Sequence, residues 1–216
     1  MSADANRILY GYWRSSAAYR VRLALAFKGL RYKSKAIDLR SGAQSGVGFT
    51  MLNPQGLVPY LIDGDVGLNQ SLAIIEYIDE TYPDPPLLPG DAVARARIRA
   101  AALTIACDIH PLNNLRVLNY LKGPLAVAPE SVDLWAEHWI TTGFAALEET
   151  AAASTGRYLF GDSVTLADLC LVPQMYNARR IRADLTAFPS LVAIDKKLNA
   201  LPMLRKARPE AQPDAV

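Results

Sequence analysis

The sequence predicts a small α/β domain followed by an all-helical domain. In the first part of the chain, short runs of β-forming residues alternate with segments whose apolar residues have helical spacing. After Asp91 the apolar residues have only helical spacing. Between the two parts, residues 82–90 contain four prolines and a glycine, which excludes regular secondary structure. We therefore predict domains at 1–83 and 92–216, joined by a proline-rich linker at 84–91.

The elements predicted for the first domain follow the order β-α-β, loop, β-β-α. They are a strand at 7–12, a helix capped by Ser15 or Ser16 and ending near Lys28, a strand at 32–39, a hairpin of 58–62 and 66–69, and a helix from Ser71. Gly29 stands where a glycine commonly ends a helix, because it adopts the left-handed conformation without strain. The sequence Asp-Gly-Asp at 63–65 is typical of a hairpin turn.

The second domain is predicted to contain helices only. They cover 94–107, 132–152, 166–182 and 191–201, and Pro111 marks either a break or the first turn of a continuing helix. In front of the third of these helices, Thr165 and Asp168 have the spacing of a capping box, in which each residue satisfies a backbone N–H of the other.

Composition narrows the function classes. The chain of 216 residues is 51% hydrophobic, which supports a packed core, and its net charge of +2 argues against a dedicated nucleic-acid binder. No run reaches the ~18 apolar residues of a membrane helix, and the start does not resemble a signal peptide. Cys107 and Cys170 have no spacing typical of a metal site. We expect a soluble cytoplasmic protein that binds no metal, nucleic acid or membrane.

Two short motifs indicate a binding site for a peptide-like ligand. Pro59 opens a predicted strand, and a cis bond after Val58 would expose the backbone groups of Val58 to such a ligand; an ordinary edge proline is the alternative. Gln70 and Ser71 begin a predicted helix, whose free N–H groups suit a carboxylate; a simple helix cap is the alternative there.

Together, these two motifs after a β-α-β unit resemble the glutathione-binding half of a cytosolic glutathione transferase. That resemblance implies a thioredoxin-like N-terminal domain followed by an all-helical C-terminal domain. It also implies that the Val58-Pro59 backbone holds the cysteinyl part of glutathione, and that Gln70 and Ser71 hold its γ-glutamyl carboxylate.

Residues 14–25 closely resemble the N-terminal signature of the zeta class, the maleylacetoacetate isomerases. Residues 70–78, 108–118 and 173–180 are similar to the same class, and the capping box at 165–168 resembles that of the family's helical domain. The similarity extends over nearly the whole chain. We therefore expect glutathione as the cofactor, a homodimer, and a small substrate that carries carboxylates.

One position departs from the class pattern. Many zeta enzymes have a cysteine after the two serines, whereas Ala17 stands there in this chain. With no Cys-x-x-Cys at this turn, a thiol-based redox function is excluded. Ser15 and Ser16 remain as the candidate catalytic hydroxyls, with Ser15 favoured because its hydroxyl and the helix N-terminus can both stabilise a thiolate.

The resemblance assigns further residues to the two ligands. The glutathione-binding set is Ser15, Ser16, Ala17, Arg20, Gln44, Val58, Pro59, Gln70, Ser71, His110, Asn114 and Arg116. Arg14 and Arg180 are assigned to the substrate, because the planar fork of an arginine suits a carboxylate. By contrast, Arg179 and Arg182 are expected to be solvated surface charges.

The favoured function is glutathione-dependent isomerisation of maleylacetoacetate to fumarylacetoacetate in tyrosine and phenylalanine catabolism. A maleylpyruvate isomerase shares this architecture and chemistry and remains open, as does a general transferase or α-haloacid dehalogenase activity. A non-catalytic scaffold with a transferase-like fold is a more remote alternative. Because Ser15, Gln70, Ser71 and Arg180 are all present, the sequence favours an enzyme.

Overall fold

The computed structural model describes residues 7–216, which form two compact units. The first comprises the described residues up to Leu87 together with Leu201–Val216, and the second is Leu88–Ala200. Residues 82–90, in which the boundary falls, contain no helix or strand. No helix of the described chain combines the length and the apolar character that a membrane crossing requires.

A four-stranded sheet forms the centre of the first unit. Its strands are β1 (Arg7–Gly11), β2 (Lys33–Ala36), β3 (Tyr60–Asp63) and β4 (Val66–Asn69), in the order β2-β1-β3-β4. β1 and β2 are parallel, whereas β3 is antiparallel to both β1 and β4. The α/β prediction is confirmed, although β2 is shorter than the predicted strand at 32–39.

The register brings four chain segments to one end of this sheet. Gly11 at the end of β1 pairs with Ala36 at the end of β2. Tyr60, where β3 begins, pairs with Asn69, where β4 ends. The segments that follow β1, β2 and β4 and the segment that precedes β3 therefore all lie at what we call the Gly11 end of the sheet.

Three helices complete the α/β part. They are α1 (Ser16–Phe27), α2 (Val47–Thr50) and α3 (Ser71–Thr81). α1 packs against α3, whose residues Ile74, Ile75 and Ile78 are fully buried at helical spacing. As predicted, α1 ends before Gly29, which has a φ of +67°.

The C-terminal residues 201–216 belong to the first unit, whereas the sequence predicts them in the helical domain. They form two short 3₁₀ helices, Pro202–Ala207 and Pro209–Ala211. Leu204 and Ala207 are buried, and the segment packs against α1. Its apolar side chains are therefore buried within the first unit. No local sequence pattern indicates this location.

The second unit is all-helical, as predicted. It contains α4 (Ala92–Leu103), α5 (Leu115–Lys122), α6 (Pro129–Ala153), α7 (Leu166–Arg180) and α8 (Pro189–Ala200). A π-helical turn at Thr104–Ile109 and a 3₁₀ turn at His110–Asn113 join α4 to α5. The chain therefore continues helically after Pro111, which was one of the two possibilities that the sequence left open.

The capping box in front of α7 is confirmed. The buried carboxylate of Asp168 accepts hydrogen bonds from Thr165 N–H at 2.8 Å, from Thr165 Oγ1 at 2.7 Å and from Leu159 N–H at 3.0 Å. Burial raises the pKa of Asp168 to about 6, and the hydrogen bonds from Leu159 and Thr165 limit that rise. This carboxyl fixes the start of α7, the helix that ends at Arg180.

Candidate functional site

Ser15 is the residue that caps α1. Its backbone is extended, and its Oγ accepts a hydrogen bond from Ala18 N–H at 3.2 Å. Because Oγ accepts this bond through a lone pair, the hydroxyl hydrogen is not used in the cap. Ser16 is already the first helical residue and is buried, so the structure resolves which serine is the cap. The first turn of α1 contains no acidic residue that would offset the positive potential at the helix N-terminus.

The residues around Ser15 have different environments. Arg14 is exposed, and its guanidinium lies 4.9 Å from the centre of the Trp13 ring. Ala17 is half-buried in the first turn of α1. Ser15 N–H donates to Tyr12 C=O at 3.0 Å, which closes a turn between β1 and the helix. Ser15 therefore stands at the Gly11 end of the sheet.

The Val58–Pro59 peptide bond is cis, as predicted. The preceding loop is held by Asn53, a buried residue that is not among the predicted site residues. Asn53 Nδ2 donates to Leu57 C=O at 2.6 Å, and its Oδ1 accepts from Asn69 Nδ2 at 3.3 Å. The Asn-Pro pair that starts this loop is a turn signal that could have indicated it.

Gln70 has an unusual backbone for a residue other than glycine. Its φ is +65° and its ψ is 114°, a combination that costs free energy and occurs preferentially at functional sites. Gln70 Nε2 donates to Gln55 Oε1 at 3.0 Å, so the loop before Val58 also supports this residue. Gln70 occupies the cap position of α3, but its side chain makes no capping hydrogen bond.

Ser71 is the first residue of α3 and is buried. Its Oγ accepts a hydrogen bond from Nη1 of Arg20 at 3.3 Å. The Arg20 side chain is also buried, only 1% exposed, and it reaches Ser71 from α1. Arg20 therefore stands directly behind the N-terminus of α3.

Gln44 lies in a 3₁₀ turn at Ala43–Ser45. Its Oε1 is buried and accepts no hydrogen bond from any residue in 7–216. The turn packs closely on the loop before Val58, since a Cβ added at Gly56 would lie 3.1 Å from Gln44 C=O. Gly56 has a φ of +61°, so both its conformation and this approach favour glycine.

The register of the sheet explains why these residues converge. Ser15 follows β1, Val58 precedes β3, and Gln70 follows β4, so all three lie at the Gly11 end. The segment that follows β2 leads into the turn that contains Gln44. Ten of the predicted site residues are in the first unit: Arg14, Ser15, Ser16, Ala17, Arg20, Gln44, Val58, Pro59, Gln70 and Ser71.

The four remaining predicted residues are in the second unit. His110 begins the 3₁₀ turn before α5 and is half-buried. Asn114 caps α5 by accepting from Arg116 N–H at 3.1 Å, and the Arg116 side chain is exposed. Arg180 is the exposed last residue of α7, and its Nη2 donates to Asn177 Oδ1 at 2.7 Å. Asn177 thereby orients the Arg180 guanidinium.

Arg179 differs from its neighbour Arg180. Its Nη1 lies 2.6 Å from Oδ2 of Asp195, a buried residue of α8, while the arginine side chain is 46% exposed. The ion pair directs this guanidinium toward α8. The sequence predicts a solvated surface charge at Arg179, whereas the structure shows a surface residue that is paired with a buried carboxylate.

Comparisons with known proteins agree with this architecture. Two family models match the chain: "Glutathione S-transferase, N-terminal domain" at residues 5–80 and "Glutathione S-transferase, C-terminal domain" at residues 128–207. The chain is 53% identical to a probable maleylacetoacetate isomerase of Vibrio cholerae serotype O1, over 96% of this chain and 98% of that protein.

Two similar solved structures are those of a maleylpyruvate isomerase and a maleylacetoacetate isomerase. One is a holo structure of maleylpyruvate isomerase, a bacterial glutathione S-transferase in the zeta class. Its TM-score is 0.95 at 45% sequence identity, and the match covers 97% of this chain and all of that one. The other is maleylacetoacetate isomerase from Methylobacterium extorquens AM1 with bound malonate and glutathione. Its TM-score is 0.93 at 40% identity, over 97% of this chain and 99% of that one.

Proposed function

This chain belongs to the glutathione S-transferase family, and we propose that it is a zeta-class, glutathione-dependent isomerase that converts maleylacetoacetate to fumarylacetoacetate. The observation that carries the proposal is the position of the Ser15 hydroxyl. It lies at the N-terminus of α1, at the same end of the sheet as Val58 and Gln70. A hydroxyl and a helix N-terminus at one point are suited to stabilise a thiolate.

The residues at this end of the sheet fit glutathione. The N-terminus of α3 has N–H groups that the side chain of Gln70 does not cap, and the backbone of Gln70 is strained. A γ-glutamyl carboxylate satisfies such a helix terminus. The buried Oε1 of Gln44 requires a donor, which the amide of a peptide ligand provides. Both features are those of a site that binds a charged, peptide-like molecule.

We assign the parts of glutathione accordingly. Gln70 and Ser71 bind the γ-glutamyl carboxylate. The backbone of Val58 binds the cysteinyl part, and Gln44 contacts the glycyl end. Arg20 supports Ser71 from behind and adds positive charge near the carboxylate. His110, Asn114 and Arg116 are proposed as further glutathione contacts from the second unit. The glutathione-binding role is thus assigned mainly to 1–83, and the substrate-binding role to 92–216.

Bound glutathione supplies the reacting thiolate. The thiolate adds to one carbon of the cis double bond, which becomes a single bond and can rotate. Elimination of the thiolate then restores the double bond as trans. Ser15 directs its hydroxyl hydrogen toward the sulfur while its Oγ lone pair caps α1. A hydrogen bond to a charged group contributes about 1.5–3 kcal/mol, or roughly one to two pKa units for the thiol. Ser16 is the second candidate hydroxyl, although its burial makes it less suited to contact a ligand.

Arg180 is proposed to bind a carboxylate of the substrate. Asn177 orients its guanidinium through a bond of 2.7 Å, and the residue is exposed. Arg14 is the second candidate for this role, since it is exposed and directly precedes Ser15 in the chain. Both arginines can form bidentate bonds to a carboxylate without changing protonation state.

Maleylpyruvate isomerisation is the second candidate function, because a structural neighbour at 45% identity has that name. The decisive experiment compares turnover of maleylacetoacetate and maleylpyruvate by the purified protein, with and without glutathione. We expect turnover only with glutathione and a higher kcat/KM for maleylacetoacetate. A higher kcat/KM for maleylpyruvate would favour the second candidate. Absence of glutathione-dependent turnover of both would contradict the isomerase proposal.

The biological setting is also a proposal. The isomerase assignment implies a role in tyrosine and phenylalanine catabolism, and the family resemblance supports a cytoplasmic homodimer. Light scattering of the purified protein measures its mass directly, and a value of one chain would contradict the dimer.

Retention on immobilised glutathione separates the enzyme from a non-catalytic scaffold, which has no reason to bind the tripeptide.

A further inference from the structure

The turn that leads to Ser15 contacts the other end of the chain. We call residues 12–15 the Ser15 turn and residues 201–216 the C-terminal segment. Trp13 N–H donates a hydrogen bond to Asp214 Oδ2 at 3.0 Å, although the two residues are 201 positions apart. Trp13 is itself buried, so this N–H depends on an acceptor from the protein.

A buried arginine makes a second connection between the same two segments. Arg22 of α1 donates from Nη2 to Trp13 C=O at 2.8 Å and from Nη1 to Tyr12 C=O at 3.4 Å. Its Nε donates to Ala207 C=O in the C-terminal segment at 2.9 Å. The rigid fork of one guanidinium thus holds both the turn and the segment, an arrangement that a lysine cannot reproduce.

The C-terminal segment is anchored before it reaches Asp214. Gln212 is buried, and its Nε2 donates to Lys206 C=O and Arg208 C=O, both at 2.8 Å. Leu204 is buried against the first unit. Asp214 is therefore presented by a folded segment, so that its carboxylate has a defined position relative to Trp13.

From these contacts we propose that the C-terminal segment positions the catalytic turn and that Asp214 is its positioning residue. The inference rests on the function proposed for Ser15. The N–H and C=O groups of Trp13 are satisfied by Asp214 and Arg22, outside the sheet ladder. If Asp214 is lost, the Trp13 N–H loses its acceptor, and the C-terminal segment no longer holds the turn at this point. Ser15 is two residues further on, so its hydroxyl moves with the turn, and small displacements at a reacting centre reduce the rate strongly.

Asp214→Ala is the principal test, with Asp214→Asn as the conservative variant and Glu210→Ala as the matched control. Glu210 is an exposed acidic residue of the same segment. In the glutathione-free protein, we expect the Trp13 amide of Asp214→Ala to exchange its hydrogen roughly tenfold faster. With glutathione bound, the thiol pKa should rise by about half a unit, which is about a threefold fall in the acid dissociation constant and up to about threefold less thiolate at a given pH. kcat should fall by at least a similar factor.

Two comparisons separate positioning from a general loss of structure. The dissociation constant of glutathione should remain within about twofold, because Val58, Gln70 and Ser71 are untouched. Asp214→Asn retains an oxygen that can accept from Trp13 N–H and should behave like the wild type, as should Glu210→Ala. If Asp214→Ala folds poorly, Asp214→Glu moves the carboxylate by one methylene while keeping its charge, and it should show the same changes.

Unchanged Trp13 exchange and thiol pKa in Asp214→Ala would overturn the proposal. It would also be overturned if kcat and glutathione affinity fell by the same factor, which indicates general destabilisation. Failure of the proposed function has a different signature, since wild-type protein would then lack glutathione-dependent turnover. In that case the amide exchange of Trp13 still measures the contact with Asp214.

Discussion

Arg20 Nη1 donates a hydrogen bond to Ser71 Oγ at 3.3 Å, and this contact between two buried side chains joins α1 to the N-terminus of α3. Helix α1 therefore contributes to the site in two ways. Its first turn presents Ser15, and its second turn supports the serine that is proposed to bind the γ-glutamyl carboxylate. The parts of the site proposed for the cysteinyl sulfur and for the γ-glutamyl carboxylate are therefore coupled through one helix.

The first prediction concerns this contact. Ser71→Ala should weaken glutathione binding roughly 10- to 100-fold, the scale of a charge-assisted hydrogen bond of about 1.5–3 kcal/mol. The reason is that the carboxylate loses a donor and Arg20 loses an acceptor. Calorimetric titration measures the change, and Ser34→Ala, at an exposed position of β2, is the control. Equal affinity in both variants would exclude the Ser71 hydroxyl as a ligand of glutathione.

The second prediction assigns the thiolate to Ser15. In Ser15→Ala, the pKa of bound glutathione should rise by about one unit or more, with a parallel fall in kcat. Ultraviolet absorbance of the thiolate as a function of pH measures this shift. Stability should fall by about 1 kcal/mol, because Ala18 N–H loses its capping acceptor and Ser16 already lies inside the helix.

Ser16→Ala is the control for this experiment and should change the thiol pKa less. A Ser15→Ala protein that retains both the thiolate and the turnover would show that another group is the donor. Ser16 would then be the next residue to test.

The third prediction separates substrate from cofactor. Arg180→Ala should lower kcat/KM, because one charge-assisted interaction with a carboxylate is lost. The loss of transition-state stabilisation should be roughly 1.5–3 kcal/mol. Glutathione affinity should remain unchanged. Arg179→Ala is a close control, because Arg179 is the adjacent residue but its guanidinium pairs with Asp195. If glutathione binding weakens as much as kcat/KM in Arg180→Ala, the assignment to the substrate is wrong.

The fourth prediction concerns pH and the start of α7. Because burial raises the pKa of Asp168 to about 6, the folded protein holds its proton more tightly than the unfolded chain. This group therefore stabilises the fold at low pH, and its contribution falls as pH rises from about 4 to about 6, by on the order of 3 kcal/mol.

Asp168→Asn isolates this contribution, since an amide does not titrate. Urea unfolding of both proteins between pH 4 and pH 7 measures this. As pH rises, the free energy of unfolding of the wild type should fall relative to that of Asp168→Asn. A difference that is constant over this range would contradict the raised pKa. At every pH the variant loses acceptors for Thr165 and Leu159, so its overall stability should also be lower.

Much of the site was predictable because its signals are local. The Val58–Pro59 bond, the helix that starts at Ser71 and the capping box at 165–168 each depend on residues within one turn of the chain. The resemblance then assigned roles to such positions. By contrast, Asn53 was not identified, because its bond to Asn69 joins a loop residue to the end of β4, 16 positions further along the chain.

The resemblance to the zeta class supplied the candidate site residues, whereas the sequence by itself determined the order of elements and the two-part division near residues 82–90. Those features follow from periodicity, prolines and caps, which act over a few residues. Only the tertiary structure decided that Ser15 rather than Ser16 caps α1, and that the C-terminal segment packs on the first unit. The bond between Trp13 and Asp214 shows the physical reason: a buried N–H must find an acceptor, and where that acceptor comes from is decided by packing across the whole unit.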